Sequence, residues 1–280
     1  MIAPFAMVMA VCAASGGLRL ELGPLNGTNE LLRGEIPYAI ATYEAVGSPV
    51  TAFSSQSRER FQIRPAGGAW SDCPEYEDAT KDAPVVRSWG RRLEVGVPQQ
   101  IYLGRVDRLC PGMTSRVGAF EIRLSYVEQG VELASATQLF SVREPRGSDA
   151  EAARLLEKSG SSLDQRSFVR RFPSSPYAAP YLGARRPGAD VPDFRKWTAE
   201  LQRSGSATER AEEANLLQQF VDRNPKHLFA EGVRTHLVAI SAAEGDMSRL
   251  RANVGELERS GSKSAAEARA FLTSLENSGR

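Results

Sequence analysis

The sequence predicts a multidomain α+β protein, an antiparallel β-sandwich followed by a solenoid of α-helical hairpins. Three observations carry this expectation. Between Leu18 and Val142 apolar side chains recur at every second position in short runs broken by glycine and proline, the period of strands with one buried face. Beyond Pro145 the period lengthens to three or four and helix-forming residues dominate. At 280 residues the chain is long enough for two ordinary cores. The organisation that follows is a leader at 1–17, a sandwich at 18–145 and a helical domain at 148–280.

Residues 1–17 hold no charged side chain and carry the apolar run from Ile2 to Ala14. The run reads as the hydrophobic core and small-residue end of a secretory signal, although no Lys or Arg precedes it; a buried first strand or helix is the other reading. It is too short to cross a bilayer, which takes about 20 apolar residues. Cys12 would suit a lipoprotein signal, but Val11 before it is larger than the small residue such signals use, so no lipid anchor is expected. Export to the periplasm, cell surface or medium is the expectation.

Leu18, Leu20 and Leu22 alternate with Arg19 and Glu21 and open the sandwich. Asn26-Gly27 marks a turn; with Thr28 it is formally a glycosylation sequon, for which turn chemistry is the expected reason. Strands are expected next at Ile36 to Glu44, Val50 to Phe53 and Arg60 to Arg64. A loop opens at Pro65 and runs through the acidic stretch Asp72 to Asp78 as far as about Ala83. Alternating Leu93, Val95 and Val97 predict another strand, and Ile101 to Leu103 one more. Phe120, Ile122, Leu124 and Tyr126 share one face of a long strand that turns at Glu128-Gln129-Gly130. Val131 to Val142 returns beside it, with Leu133, Leu139, Phe140 and Val142 as its apolar content. Ser148-Asp149 then offers an N-cap for the first helix.

Once a leader is removed, Cys73 and Cys110 remain, and an even count in an oxidising compartment favours a disulfide. The two lie 37 residues apart, and closing that loop contributes roughly 3 to 4 kcal/mol. Two unrelated reduced thiols is the alternative.

Val117-Gly118-Ala-Phe-Glu-Ile-Arg-Leu-Ser-Tyr126, the strand that returns to Val142 and the exit at Glu144-Pro145 resemble the final hairpin of immunoglobulin-like sandwiches in secreted bacterial proteins. The resemblance implies the sandwich class with about seven or eight strands. The antibody-type pattern is absent, since Trp89 is wrongly spaced between Cys73 and Cys110 and Arg108 stands where a tyrosine corner would be.

In the helical half the chain repeats itself. Phe168, Val169, Arg171, Pro173, Tyr177 and Ala178 match Phe220, Val221, Arg223, Pro225, Phe229 and Ala230, all at the same offset of 52 positions. The match reads as a helix end, a proline turn and a second helix entered by an aromatic-Ala pair, with Phe168 and Tyr177 facing one another across the turn. Phe172-Pro-Ser-Ser-Pro-Tyr-Ala178 resembles the tetratricopeptide-like repeats of bacterial envelope proteins, including outer-membrane assembly lipoproteins and the periplasmic coordinator of the Tol-Pal system. The resemblance implies paired helices and protein partners. Two departures stand beside it: a tetratricopeptide unit repeats at about 34 residues, and Pro180 removes a hydrogen bond early in the second helix. Further helices are expected at Pro192 to Arg203, Ala207 to Asp222, Leu228 to Ala243, Met247 to Glu258 and Ser264 to Glu276, each with one apolar stripe.

A formal net charge of +1 gives no field for nucleic acid or an anionic membrane. His227 and His236 are the only histidines; nine positions apart, they do not share a face at metal-binding spacing, and surface or structural roles are expected. No nucleophile elbow, zinc-protease, phosphate-loop or dinucleotide motif occurs. Asp72, Glu75, Glu77, Asp78 and Asp82 lack the glycine and alternation of a calcium loop and read as a solvated segment. Trp70, Tyr76 and Trp89 fit sandwich core packing, with an aromatic patch for a glycan or protein as the alternative. The expectation is a non-enzymatic interaction or scaffolding protein without cofactor or metal. An inhibitor or glycan- or ligand-binding module acting through the 65–83 loop is the alternative.

Overall fold

The computed structural model describes residues 17–54, 59–73, 89–128, 130–185 and 189–278. The apolar leader and Cys12 lie outside the described residues. The chain is a mixed α+β protein that separates into two compact units between Glu144 and Pro145. The first unit contains β1 (Gly17–Leu22), β2 (Glu30–Leu32), β3 (Tyr38–Val46), β4 (Val50–Ser54), β5 (Glu59–Pro65), β6 (Ser71–Asp72), β7 (Trp89–Leu93), β8 (Gln99–Arg105), β9 (Gly118–Glu128) and β10 (Val131–Arg143). The second contains α1 (Ser148–Ser159), α2 (Gln165–Arg171), α3 (Phe194–Arg203), α4 (Ala207–Arg223), α5 (Ala230–Glu244), α6 (Met247–Arg259) and α7 (Ala265–Ser278).

Alternation in the sequence becomes alternation in burial. In β1 the three leucines are buried while Arg19 pairs with Glu21 and Glu44 at the surface. The strands form sheets of order β1-β3-β8 and β2-β10-β9-β5-β6, with β4 and β7 as a separate pair. Leu20, Tyr43 and Leu103 from one sheet and Phe61, Leu124 and Phe140 from the other belong to one apolar cluster. Tyr43 meets Tyr126 edge-on at 6.3 Å, and its hydroxyl donates to the buried Glu59 carboxylate at 2.5 Å.

Four details differ from the sequence expectation. Pairing is not purely antiparallel, because β2 runs parallel to β10, with Leu31 opposite Val142. A short 3-10 turn at Leu25–Gly27 carries the chain from β1, in one sheet, to β2, in the other. The strand expected through Val97 stops at Leu93: Val95 makes one isolated bridge to Ala45, Val97 is exposed, and Gly96 between them turns the chain at φ +75. In β10, Leu139 is exposed while Phe140 stacks on Phe120 at 5.7 Å, since neighbours in a strand point to opposite faces. Trp70 lies outside the core, half-buried beneath the Arg64 guanidinium at 4.3 Å.

Asn26 holds the crossover between sheets. It is buried at φ +51, a conformation asparagine tolerates. Its amide nitrogen donates to Glu35 at 2.5 Å and to the Ile36 carbonyl at 3.0 Å, and its oxygen accepts from the Tyr38 N–H at 2.7 Å. The sequon's amide is therefore engaged inside the fold. Asn26→Ala removes three hydrogen bonds and places a β-branch-free but poorly tolerated alanine in the left-handed region, a loss of about 3 kcal/mol. Urea denaturation should show it as a lowered midpoint with an unchanged slope.

In the second unit, side-chain caps set the helix starts. Asp164, Asp193 and Asp246 accept from backbone N–H groups of α2, α3 and α6, and Ser206 and Glu209 form a capping box on α4. The first helix differs from expectation: Gly147 occupies the N-cap, and Asp149 instead bonds Arg223 of α4 at 2.6 Å. Phe194 of α3 stacks on Phe271 of α7 at 5.7 Å, in a core shared with Leu250, Val254 and Leu257.

Candidate functional site

The residues singled out from the sequence fall at two places. Cys73 and Cys110 come to disulfide distance, their Cα atoms 4.8 Å apart and both buried in the β-unit core. Cys73 directly follows β6 and donates its N–H to the Phe61 carbonyl, whereas Cys110 follows β8 and donates to Val106. The pair joins the end of one sheet to the end of the other. Of the acidic run, Asp72 accepts from Gln62 at 2.9 Å; Glu75, Glu77, Asp78 and Asp82 lie outside the described residues, as does Tyr76.

The second place is the repeated turn. Phe168 and Phe220 are both buried near the end of a helix, as are the aromatic residues Tyr177 and Phe229 after the turn. The helix ends are capped by Phe172 at φ −130, ψ 50 and by Asn224 at φ −121, ψ 53. Three backbone hydrogen bonds then recur at the offset of 52. Phe172 N–H donates to Phe168, Ser175 to Phe172 and Ala178 to Ser175; in the second copy Asn224 donates to Phe220, His227 to Asn224 and Ala230 to His227. Pro173 and Pro225 each follow a cap directly. The Asn224 amide donates to the Ser174 carbonyl at 2.9 Å, so the two turns lie side by side.

After the turn the copies part. Ala230 opens α5, of fifteen residues, whereas Pro176–Tyr181 forms only a 3-10 helix. This corrects the expectation of a second α-helix at Tyr177-Ala178: Pro180 has no N–H to donate and crowds the preceding turn. Phe168 packs against the rings of Phe172 and Tyr181, while Phe220 packs edge-on against His227, which lies beside Phe229.

Both histidines are buried, and burial holds the imidazoles at about 4. They are neutral at neutral pH. His236 stacks on Trp197 of α3 at 5.0 Å and lies 3.6 Å from Glu213 of α4, whose own pKa burial raises. Arg210 binds this region together, pairing with Glu244 at 2.5 Å and donating to the carbonyls of Leu201 and Gly205. Outward, α2 and α4 are linked by Arg170–Glu212 at 2.8 Å and Arg166–Glu209 at 3.8 Å. No group of three or more metal-ligating side chains occurs among the described residues, and none of their helices is long and apolar enough to cross a membrane.

Sequence reasoning missed Gly232, Glu213, the stacking of Trp197 on His236 and the equivalence of Ser175 with His227 in the two turns. Gly232 lies on α5 where the Arg185 backbone crosses it, and a β-carbon there would overlap the Arg185 carbonyl. An interior helix glycine is a signal of such close approach. Gly232→Ala forces the two backbones apart and should cost about 2 to 3 kcal/mol, against the roughly 1 kcal/mol gained from helix propensity alone. Thermal melting of the variant would check the sign.

Comparison with protein-family models, with curated proteins and with solved structures returned no match to this chain.

Proposed function

We propose that this chain is a non-enzymatic exported or cell-envelope protein that mediates protein–protein interaction or scaffolding. In this reading an immunoglobulin-like sandwich serves as spacer and a tetratricopeptide-like array of helical hairpins presents the binding surface. The observation that carries the reading is the turn repeated at an offset of 52, in which the same three backbone hydrogen bonds recur and Asn224 joins one copy to the other. Side-by-side helix–turn units of this kind build extended surfaces from local contacts. The sheet orders β1-β3-β8 and β2-β10-β9-β5-β6 around one core support the sandwich. The buried Cys73 and Cys110 at disulfide distance suit an oxidising compartment.

The alternative, an inhibitor or glycan-binding module acting through the 65–83 loop, draws support from Trp70, which is half-buried outside the core under Arg64. Photo-crosslinking from the full chain in its host envelope separates the two. Probes at the exposed positions Ala211, Gln219 and Ser248 are expected to capture a protein at discrete mass, and a probe at the exposed Ala66 is expected to capture none. Capture confined to Ala66 would transfer the function to the loop, and silence at every position would remove the partner.

A further inference from the structure

His236 is a buried side chain whose two ring nitrogens make no hydrogen bond. Such groups are rare in native folds and mark a place where the fold bears a cost. One face of the ring stacks on Trp197 of α3, with 26° between the planes, and Nε2 lies 3.6 Å from Glu213 of α4. Arg185 extends its guanidinium over the Trp197 indole at 5.5 Å. The remaining polar ties from α3 to α5 are long: Thr198 donates to Ala239 at 3.3 Å and Gln202 to Ala243 at 3.4 Å. The Trp197–His236 stack adds an aromatic contact between these two helices, and Trp197 itself packs against the apolar core that they share through Phe194, Val238 and Ala239.

The geometry points to His236 as a proton-operated latch, which in its neutral form holds α3 on α5 through Trp197 and on protonation releases α3. The charged groups that bear on the ring, among the described residues, are Glu213 from α4, Arg166 from α2 acting through Glu213, and Arg185 beyond the indole. Among those residues, neither α3 nor α6 brings an ion pair to it. Glu213 and the indole face favour the imidazolium, while burial and Arg185 oppose it. Burial wins and holds the ring at about 4. Burial also raises the pKa of Glu213, so the carboxylate that would stabilise the cation loses its charge earlier on acidification than an ordinary glutamate does. A released ring titrates near 6.5, so between neutral pH and pH below 4 the ratio of released to latched forms rises by up to about 300-fold.

Tryptophan emission of the full chain, followed from pH 7.5 to 4 beside far-UV circular dichroism, tests the latch. The expected result is an emission change with a midpoint between about 4 and 6.5 that precedes any loss of helix signal. It should vanish in Trp197→Phe and in His236→Phe, which keeps an aromatic ring in the stack without a proton site, and persist in His227→Phe. Circular dichroism at pH 7.5 establishes that each variant is folded; should His236→Phe not fold, His236→Gln takes its place. Persistence of the change in a folded His236 variant overturns the latch, as does a wild-type emission that stays flat to pH 4 or moves only with global unfolding.

Discussion

Lowering the pH from 7 to 4 should cost the helical unit up to about 3 kcal/mol for each of its two buried histidines. The folded pKa of each lies at about 4, below the ordinary 6.5, so the unfolded chain binds more protons throughout that interval. Stability is complete above about pH 6.5 and is lost as pH falls towards 4. Glu213 works in the opposite sense, because its raised pKa favours the folded state on acidification. Asp164, Glu209 and Glu258, lowered by their hydrogen bonds, join the histidines only in the acid range proper to carboxylates. Denaturant titrations at stepped pH on His227→Phe and His236→Phe should each recover about half of the loss. A stability flat between pH 7 and pH 4.5 would mean that both imidazoles are solvated.

Removing the Cys73–Cys110 bridge should cost the β unit roughly 3 to 4 kcal/mol, the chain-entropy contribution of a loop spanning 37 residues. The anchor points make the effect specific. Cys73 is fixed to β5 through Phe61, and Cys110 to the turn after β8 through Val106, so the bridge ties one sheet to the other across their common core. The double variant Cys73→Ala/Cys110→Ala and the reduced wild-type chain should show the same lowered denaturation midpoint. A midpoint indifferent to dithiothreitol would mean that the thiols contribute only as small apolar groups.

The parts legible in the sequence were those governed by a short period. Leu18, Leu20 and Leu22, or Ile122, Leu124 and Tyr126, declare a buried face because a strand alternates. The matched Phe168 and Phe220 turns were legible because identical residues at one offset fold into one geometry. Other features escaped for reasons equally physical. The strand expected through Val97 was halted by the backbone at Gly96, and the helix expected at Tyr177 was held to a 3-10 turn by Pro180. Ser175 and His227 occupy equivalent turn positions and share backbone hydrogen bonding, yet as unlike side chains they gave no match to read. The cluster of Arg185, Trp197, Glu213 and His236 was invisible because it draws on separate segments brought together only by packing. The parallel contact of β2 with β10 likewise joins segments more than a hundred positions apart.

The two units respond to different conditions, the β unit to reduction of its cysteine pair and the helical unit to acid, through buried histidines that are neutral at neutral pH. Peptide-resolved hydrogen exchange of the full chain at pH 7 and at pH 4.5, corrected for intrinsic rates, tests this division most directly. Amides of β9 and β10 should keep their protection at the lower pH while those of α3 and α5 lose theirs. Loss of protection in both sets at the same pH would contradict it.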